Sequence, residues 1–425
     1  MPRDRLIIRL LPRPTARPIL LLLVVLAAFM SGVAAGDEPP AYDLHYHARL
    51  DPDSGEAEVR LRLTQSRHAL REARFNIDET RHHGFEADGA LVQGDGTITW
   101  HPPPEGGEFR LRVRIDRVRN ANGYDARITP EWALLRADHL FPAARTRTLA
   151  GAYARATLTF DLPGHWSLES RYGAWRGEPL VVEDPDRRFV RPTGWLLAGE
   201  LGVRRDQVAG RELVVAAPVG EGARRMDALA LLRWTLPALL AIFPDFPERL
   251  LVVSAGDPMW RGGLSGPESL YLHADRPLIN ERGTSTLLHE LVHVAGIVRP
   301  GPGAGWIVEG LADYYSLEVL YRAGVIGERR HRLSLETLAR RAEGVRRLDT
   351  RDAGGAVTAR GVIELARIDA AIREASDGHH SLDDVARQLA ESPDPITYAR
   401  LRALSESVAG QPLAVFDDLP LSRRR

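Results

Sequence analysis

The sequence predicts an α+β chain. A β-rich, sandwich-like N-terminal region comes first, then a mixed region, then a helical C-terminal lobe. Three observations predict it. Through the first half, apolar residues recur at every second position: Val59, Leu61 and Leu63 alternate with Arg60 and Arg62, and Phe109, Leu111, Val113 and Ile115 alternate with Arg110, Arg112 and Arg114. That period belongs to half-buried strands. From about Gly210 the alternation gives way to continuous apolar runs, such as 213–216 and 250–254. After residue 328 the apolar residues follow a helical period instead. Strands gathered first and helices gathered last read as α+β.

The elements follow in order. Over 1–35, Arg3, Arg5, Arg9, Arg13 and Arg17 precede an apolar run from Ile19 to Met30, then small residues and a polar switch at 36–40. This reads as a signal peptide cut after Ala35, or as an uncleaved anchor. The strictly apolar run is short for a membrane span. Either way the folded part is expected outside the cytoplasm, periplasmic or extracellular, touching a membrane only if the segment stays attached. Residues 36–208 form the β-rich domain, with turns at 51–55 and 102–107 and a less regular strand through Ala154, Ala156, Leu158 and Phe160. Residues 209–327 hold a strand at 213–216, an apolar helix at 226–243, strands at 250–254 and 269–273, and then two helices. Residues 328–425 hold helices at about 328–347, 359–376, 381–391 and 395–408. Ser381 and Asp384 make a capping box for the third of these.

Composition excludes several chemistries. The chain has no cysteine, which rules out disulfide scaffolds, thiol nucleophiles and thiolate metal sites. It has no lysine, which rules out a P-loop or Schiff-base lysine. The net charge of −1 gives no global electrostatic case for nucleic acid. The arginine rows on the strands are interspersed with acids and lack a recurring aromatic platform, so they read as a solvated sheet face.

The chemistry concentrates in His289-Glu290-Leu291-Val292-His293. Histidines four apart on a helix point the same way, so both imidazoles reach one metal ion. Glu290 sits beside them, close enough to serve a bound water as general base. This is the zinc-hydrolase arrangement. Leu287, Leu288, Leu291, Val292 and Val294 make the helix apolar and hence buried. Polar groups there are costly unless something satisfies them. Catalytic zinc takes three protein ligands. The loop 299–305, RPGPGAG, separates this helix from a second that begins near Trp306. Glu309 in its first turns is the third ligand. Asp313, one turn on, is placed to accept from the second nitrogen of a ligating histidine.

The phrase Trp306-Ile-Val-Glu309-Gly310-Leu-Ala312-Asp-Tyr-Tyr resembles the signature of the gluzincin metallopeptidases, in particular the glycyl aminopeptidase and, more distantly, aminopeptidase N families. The resemblance runs from about residue 155 onward. It implies a thermolysin-like catalytic domain with a helical lobe, one zinc ion, and a peptide or protein substrate. Gly262, Gly263, Leu264 and Ser269 are similar to the glycine-rich strand of the glycyl aminopeptidases, but the Glu-His of that strand is missing. The segment implies substrate contacts at Gly262, Gly263, Glu268 and Ser269, with Glu268 as the acid that grips a free amine. Thr358 falls where those families place a tyrosine that donates to the oxyanion. A lost donor of that kind costs roughly two to three powers of ten in turnover; Tyr314, Tyr315 or Tyr398 are the candidates to replace it. Two alternatives stay open. One is a gluzincin-fold binding or scaffold protein with weak or no turnover. The other is a zinc hydrolase acting on a non-peptide bond, since the motif activates water without choosing the substrate.

Overall fold

The computed structural model describes residues 40–121, 123–183, 189–281, 283–351 and 353–422, so the leader expected over 1–35 lies outside the described residues. Period-two patterning becomes strands. Ala41–Asp51 and Glu56–Gln65 pair antiparallel across the turn at 51–55, where Gly55 takes a φ of 74°. Val59, Leu61 and Leu63 are buried, as are Phe109, Leu111 and Val113 on the neighbouring strand Gly106–Arg114. The arginines between them face outward against acids, for example Arg62 with Glu108 and Arg155 with Asp43.

Three sheets surround this N-terminal core. The first runs Leu180–Val182, Tyr153–Asp161, Ala41–Asp51, Glu56–Gln65, Gly106–Arg114, His82–Ala87. A second runs Gly173–Trp175, Ser167–Ser170, Trp195–Gly199, Trp132–Arg136, Gly123–Ile128, Arg117–Asn120. The third runs Ala144–Thr148, Leu70–Asn76, Thr97–His101, Ala90–Gly94.

The fourth sheet has five strands: β1 (Leu201–Val208), β2 (Arg211–Pro218), β3 (Arg249–Ala255), β4 (Gly263–Gly266) and β5 (Ser269–His273), in the spatial order β1-β2-β3-β5-β4. β2, β3 and β5 are parallel, and β4 is an antiparallel edge. Both faces of this sheet are covered, which is why its strands read as continuous apolar runs. Leu213, Val215, Leu250, Val252, Leu270 and Leu272 pack on helices. Val214, Ala216, Leu251, Val253 and Tyr271 pack on Trp132, Leu134, Trp195 and Leu197 of the N-terminal sheets.

The helices are α1 (Arg225–Ile242), α2 (Thr286–Val294), α3 (Gly305–Arg322), α4 (Glu328–Arg341), α5 (Ala356–Ala375), α6 (Leu382–Glu391) and α7 (Tyr398–Ala409). Their ends depart from the sequence expectation where local chemistry intervenes. α4 stops six residues before 347, and Gly344 beyond it takes a φ of 81°. α7 begins after Thr397, whose side chain accepts from the Arg400 N–H. The capping box of Ser381 and Asp384 forms at the start of α6. No helix of the described residues is long and apolar enough to cross a membrane.

Candidate metal centre

α2 starts where its cap is tied down. Ser285 Oγ accepts from the Leu288 N–H. The Ser285 N–H donates to Ser316 Oγ of α3, and Ser316 Oγ donates back to the Ser285 carbonyl. The two helices are therefore clamped together at a fully buried point one turn before the motif histidines. Gly296 ends the segment with a φ of 116°, where a Cβ would sit 2.8 Å from the Ala390 carbonyl.

The structure brings His289, His293 and Glu309 together, with ligand atoms all within 4.8 Å of one another. The two Nε2 atoms are 3.1 Å apart. Glu309 Oε2 is 3.5 Å from His289 Nε2, and Oε1 is 3.9 Å from His293 Nε2. Each second nitrogen is already engaged: His289 Nδ1 lies 2.8 Å from Asp313 Oδ1, and His293 Nδ1 lies 2.6 Å from the Ile297 carbonyl. Both partners are acceptors, so both Nδ1 atoms carry the proton. With neutral rings two lone pairs would converge at the Nε2 atoms, so either a proton or a metal cation has to lie between them. Tetrahedral zinc at a Zn–N length of about 2.0–2.1 Å separates two imidazole nitrogens by roughly 3.3 Å, so this donor set fits such an ion. Burial alone would lower the His289 imidazole, but its hydrogen bonds to Asp313 and Glu309 overcome that and raise it to about 10, so without an ion this ring holds a second proton, on Nε2, which a metal would displace. Burial and the neighbouring His289 push His293 down.

Glu290 faces β4. It is 6% exposed, and burial raises its carboxyl to about 7, with the charge of Glu309 adding and that of His289 opposing. The N–H and hydroxyl of Ser265 on β4 lie beside it and oppose the rise. Gly263 makes this approach possible. A Cβ there would sit 2.8 Å from Glu290 Cγ and 2.8 Å from Thr286 Cγ2. Ser265 is the residue that sequence reasoning missed. Its position is readable in principle, because residues two apart on a strand share a face. If Gly263 is small to admit the helix, Ser265 meets the same helix.

The residues expected to touch substrate have other work. At Gly262 a Cβ would lie 2.1 Å from the Trp260 ring, so the tryptophan takes the space the glycine leaves. At Gly263 that space goes to Glu290 and Thr286. Glu268, at a φ of 49°, pairs with Arg171 Nη1 at 3.0 Å, so its carboxylate secures a turn. Ser269 is fully buried, accepting from the Trp195 N–H and donating to the Pro267 carbonyl. Thr358 is 7% exposed, and its hydroxyl donates to the Ala353 carbonyl within its own helix start. It is not free to donate to an oxyanion. Nor do the three tyrosines replace it. Tyr314 and Tyr315 lie in the core, and Tyr398 donates to the Phe416 carbonyl.

Neither a family model nor a curated protein matches the sequence. Among solved structures, an aminopeptidase N family protein from Idiomarina loihiensis is similar in fold, with a TM-score of 0.61 at 15% identity, covering 88% of this chain and 72% of that one.

Proposed function

We propose that the chain is a zinc-dependent hydrolase of peptide bonds working outside the cytoplasm. The observation that carries the reading is the convergence of His289 Nε2, His293 Nε2 and a Glu309 oxygen, with both Nδ1 atoms bonded away and Glu290 buried alongside. The fold likeness to an aminopeptidase N family protein supports the peptide-bond class. The basic stretch, apolar run and polar switch over 1–40, which read as an export leader, support the location.

His289, His293 and Glu309 would hold the ion. When bound, zinc polarises the scissile carbonyl and makes water a nucleophile near neutral pH. Glu290 accepts the proton of the attacking water and delivers it to the leaving nitrogen. Burial raises its carboxyl, which favours taking up that proton. The Ser265 N–H and hydroxyl beside it favour the carboxylate form. Asp313 and the Ile297 carbonyl fix the two imidazoles in the Nδ1–H tautomer. β4 is a sheet edge, and the His273 N–H bonds to the Gly262 carbonyl. Alternation then turns the backbone groups of Gly263 and Ser265 outward. The Ser265 carbonyl is taken by Arg136 and its N–H by Glu290. Gly263 is left to pair with an extended substrate.

The occupied Thr358 hydroxyl favours a second reading, a zinc-binding protein with weak or no turnover. One experiment separates the two. Purified protein should hold about one zinc per chain, and His293→Ala should empty it. Glu290→Gln should keep the metal and abolish hydrolysis of a mixed peptide library. A metal-free wild type would defeat the ligand assignment. Equal profiles for wild type and Glu290→Gln would leave the non-catalytic reading. Peptides with acetylated N-termini test the amine-gripping role, which the Glu268–Arg171 pair argues against.

A further inference from the structure

The chain as a whole is nearly neutral, with a net charge of −1, yet residues 328–347, which form α4 and the turn after it, carry seven arginines against three glutamates. Arg329, Arg332, Arg340, Arg341 and Arg346 are exposed, and none forms an ion pair among the described residues. Acids were available. Glu328 lies four residues before Arg332 and Glu336 four before Arg340, the favoured order for pairing on a helix, but neither pair closes to ion-pair distance. The other helices behave differently. Arg322 on α3, Arg373 on α5 and Arg402 on α7 each pair with an acid one turn away on their own helix. The charge is also badly placed for α4 itself. Arg329, Arg330 and Arg332 fall in its first turns, at the positive end of the dipole, with Glu328 the one acid of the first turn and with an N-cap, Gly327, that offers no side-chain acceptor. An anionic partner would relieve that arrangement.

The packing of α4 sets this charge beside the metal centre. Its start lies against the end of α3, where His331 Nε2 is 2.7 Å from Glu318 Oε1 and the Tyr321 ring stacks on the imidazole at 4.5 Å. The same end is fastened to the connection that leads into α2. Arg330 donates to the Asn280 and Glu281 carbonyls, and a Cβ on Gly283 would sit 2.1 Å from Ser334 Oγ. The far end reaches the start of α5, where Arg341 Nη2 lies 3.5 Å from the place of a Cβ on Gly355. Ala353, just before that helix, packs on Gly305 at the start of α3. The arginine face therefore borders the helices that carry His289, His293 and Glu309.

We propose that the arginine face of α4 is a docking surface for acidic segments of polypeptide substrates, held through Arg329, Arg332, Arg340 and Arg341. The fate of the bound chain rests on the peptidase reading above; its capture rests on the charge of α4 alone. Guanidinium groups suit this ligand, because each can take a carboxylate through two parallel hydrogen bonds. The face fits other polyanions less well. Its large exposed apolar side chain is Leu333, at 41%, which is too little to enter a lipid surface. The Tyr321 ring is already stacked on His331, which leaves no open aromatic platform for bases on this face among the described residues. Glu336 and Glu343 interrupt the arginines, which a continuous row of phosphates would meet as repulsion and a mixed acidic peptide would not.

The test uses the full chain and two labelled synthetic peptides, one with a run of glutamates and one with glutamines at the same positions, both acetylated and amidated so that side chains carry all the charge. Binding is read by fluorescence anisotropy on Glu290→Gln, so that the peptides are not consumed. The glutamate peptide should bind about tenfold more tightly at low ionic strength, and the advantage should shrink as salt is added. Combining Arg329→Gln, Arg332→Gln and Arg340→Gln changes exposed side chains, should not lower the melting temperature, and should remove most of the advantage. Glutamate at the same three positions should turn the preference toward a lysine peptide. In an otherwise wild-type chain, the triple glutamine variant should raise KM for the glutamate peptide about tenfold, with kcat, zinc content and the glutamine peptide unaffected. A glutamate preference in binding with no hydrolysis by wild type would defeat the peptidase reading and leave the docking face standing. Three results would overturn the docking face: equal binding of the two peptides, a glutamate preference that the triple variant keeps, or a single-stranded DNA of matched charge binding more tightly than the glutamate peptide.

Discussion

Gly263→Ala is the substitution that most directly tests how Glu290, the proposed general base, is placed. The added Cβ would lie 2.8 Å from Glu290 Cγ, 2.8 Å from Thr286 Cγ2 and 3.0 Å from Glu290 Oε1. Carbon atoms pack without repulsion at about 3.5–4.0 Å, so the neighbours must recede by roughly 0.7 Å or more. Thr286 cannot give freely, because Ser285 and Ser316 lock the start of α2. The displacement therefore falls mainly on the Glu290 side chain and on β4. Overpacking of this kind costs roughly 1–3 kcal/mol, a drop in melting temperature of about 2–4 °C per kcal/mol for a domain of roughly 200 residues. A misplacement near 1 Å at a reacting group costs about a hundredfold in rate. The metal ligands do not touch Gly263, so zinc content should stay at the wild-type level. Metal analysis, thermal unfolding and peptide hydrolysis on the same preparation check all three. Wild-type rate together with wild-type melting would refute the claim that Gly263 exists to admit Glu290.

Three further outcomes are expected. Asp313→Ala removes the acceptor 2.8 Å from His289 Nδ1 and should weaken zinc by about 10–100-fold in a chelator competition; unchanged affinity would mean the tautomer needs no such support. Thr358→Val breaks only the bond to the Ala353 carbonyl, so it should cost about 1 kcal/mol of stability and leave zinc and hydrolysis unchanged; a large fall in rate with normal zinc would return Thr358 to the reaction centre. The N-terminal sheets should lose stability in mild acid. The Asp78 N–H donates to His82 Nδ1, which fixes that ring as neutral, and burial lowers its pKa. Burial also lowers His139 to about 4, with Arg117, Arg136 and Arg81 adding and Asp138 opposing. Folded values below the unfolded 6.5 mean the unfolded chain binds protons more readily, so stability present above pH 6.5 is lost as pH falls toward 4. For His139 the loss is roughly 1–3 kcal/mol. His139→Gln should flatten the melting profile between those pH values, and parallel profiles for the two proteins would refute the assignment.

What the sequence made legible was what local spacing determines. Residues 289 and 293 had to share a helix face, and Glu309 and Asp313 had to share the next. The alternation of Val59, Leu61 and Leu63 had to make a strand with one dry face. The glycine-rich hairpin was less legible, and the reason is physical. A glycine leaves a space, and the sequence does not say whether a ligand or the chain itself fills it. At Gly262 the Trp260 ring fills it, and at Gly263 the zinc-type helix does. Glu268 and Ser269 look available as an acid and a hydroxyl near a cleft. Their partners, Arg171 and the Trp195 N–H, lie 97 and 74 positions earlier, beyond any local pattern.

Those distant partners recast the β-rich region as part of the site's construction. Arg136 Nη1 donates to the Ser265 carbonyl at 3.2 Å, and Trp195 Nε1 donates to the Leu264 carbonyl at 2.9 Å. Gly194 leaves no room for a side chain beside the Pro267 carbonyl, where a Cβ would sit 2.9 Å away. In the connection that leads from β3 into β4, Met259 bridges to Tyr124, and Arg119 stacks on the Trp260 ring at 4.5 Å. The β4–β5 hairpin and the segment before it are thus held from the N-terminal sheets, and the hairpin in turn presents Ser265 to Glu290. β4 pairs with a strand on one side only, so its own ladder does not fix its position. The side chains of Arg136 and Trp195 supply the missing constraint without closing the edge with another strand. In this arrangement the position of a single carboxylate on α2 depends on the packing of two sheets against each other, so under the proposed function the N-terminal region would control the reaction without contributing a catalytic atom.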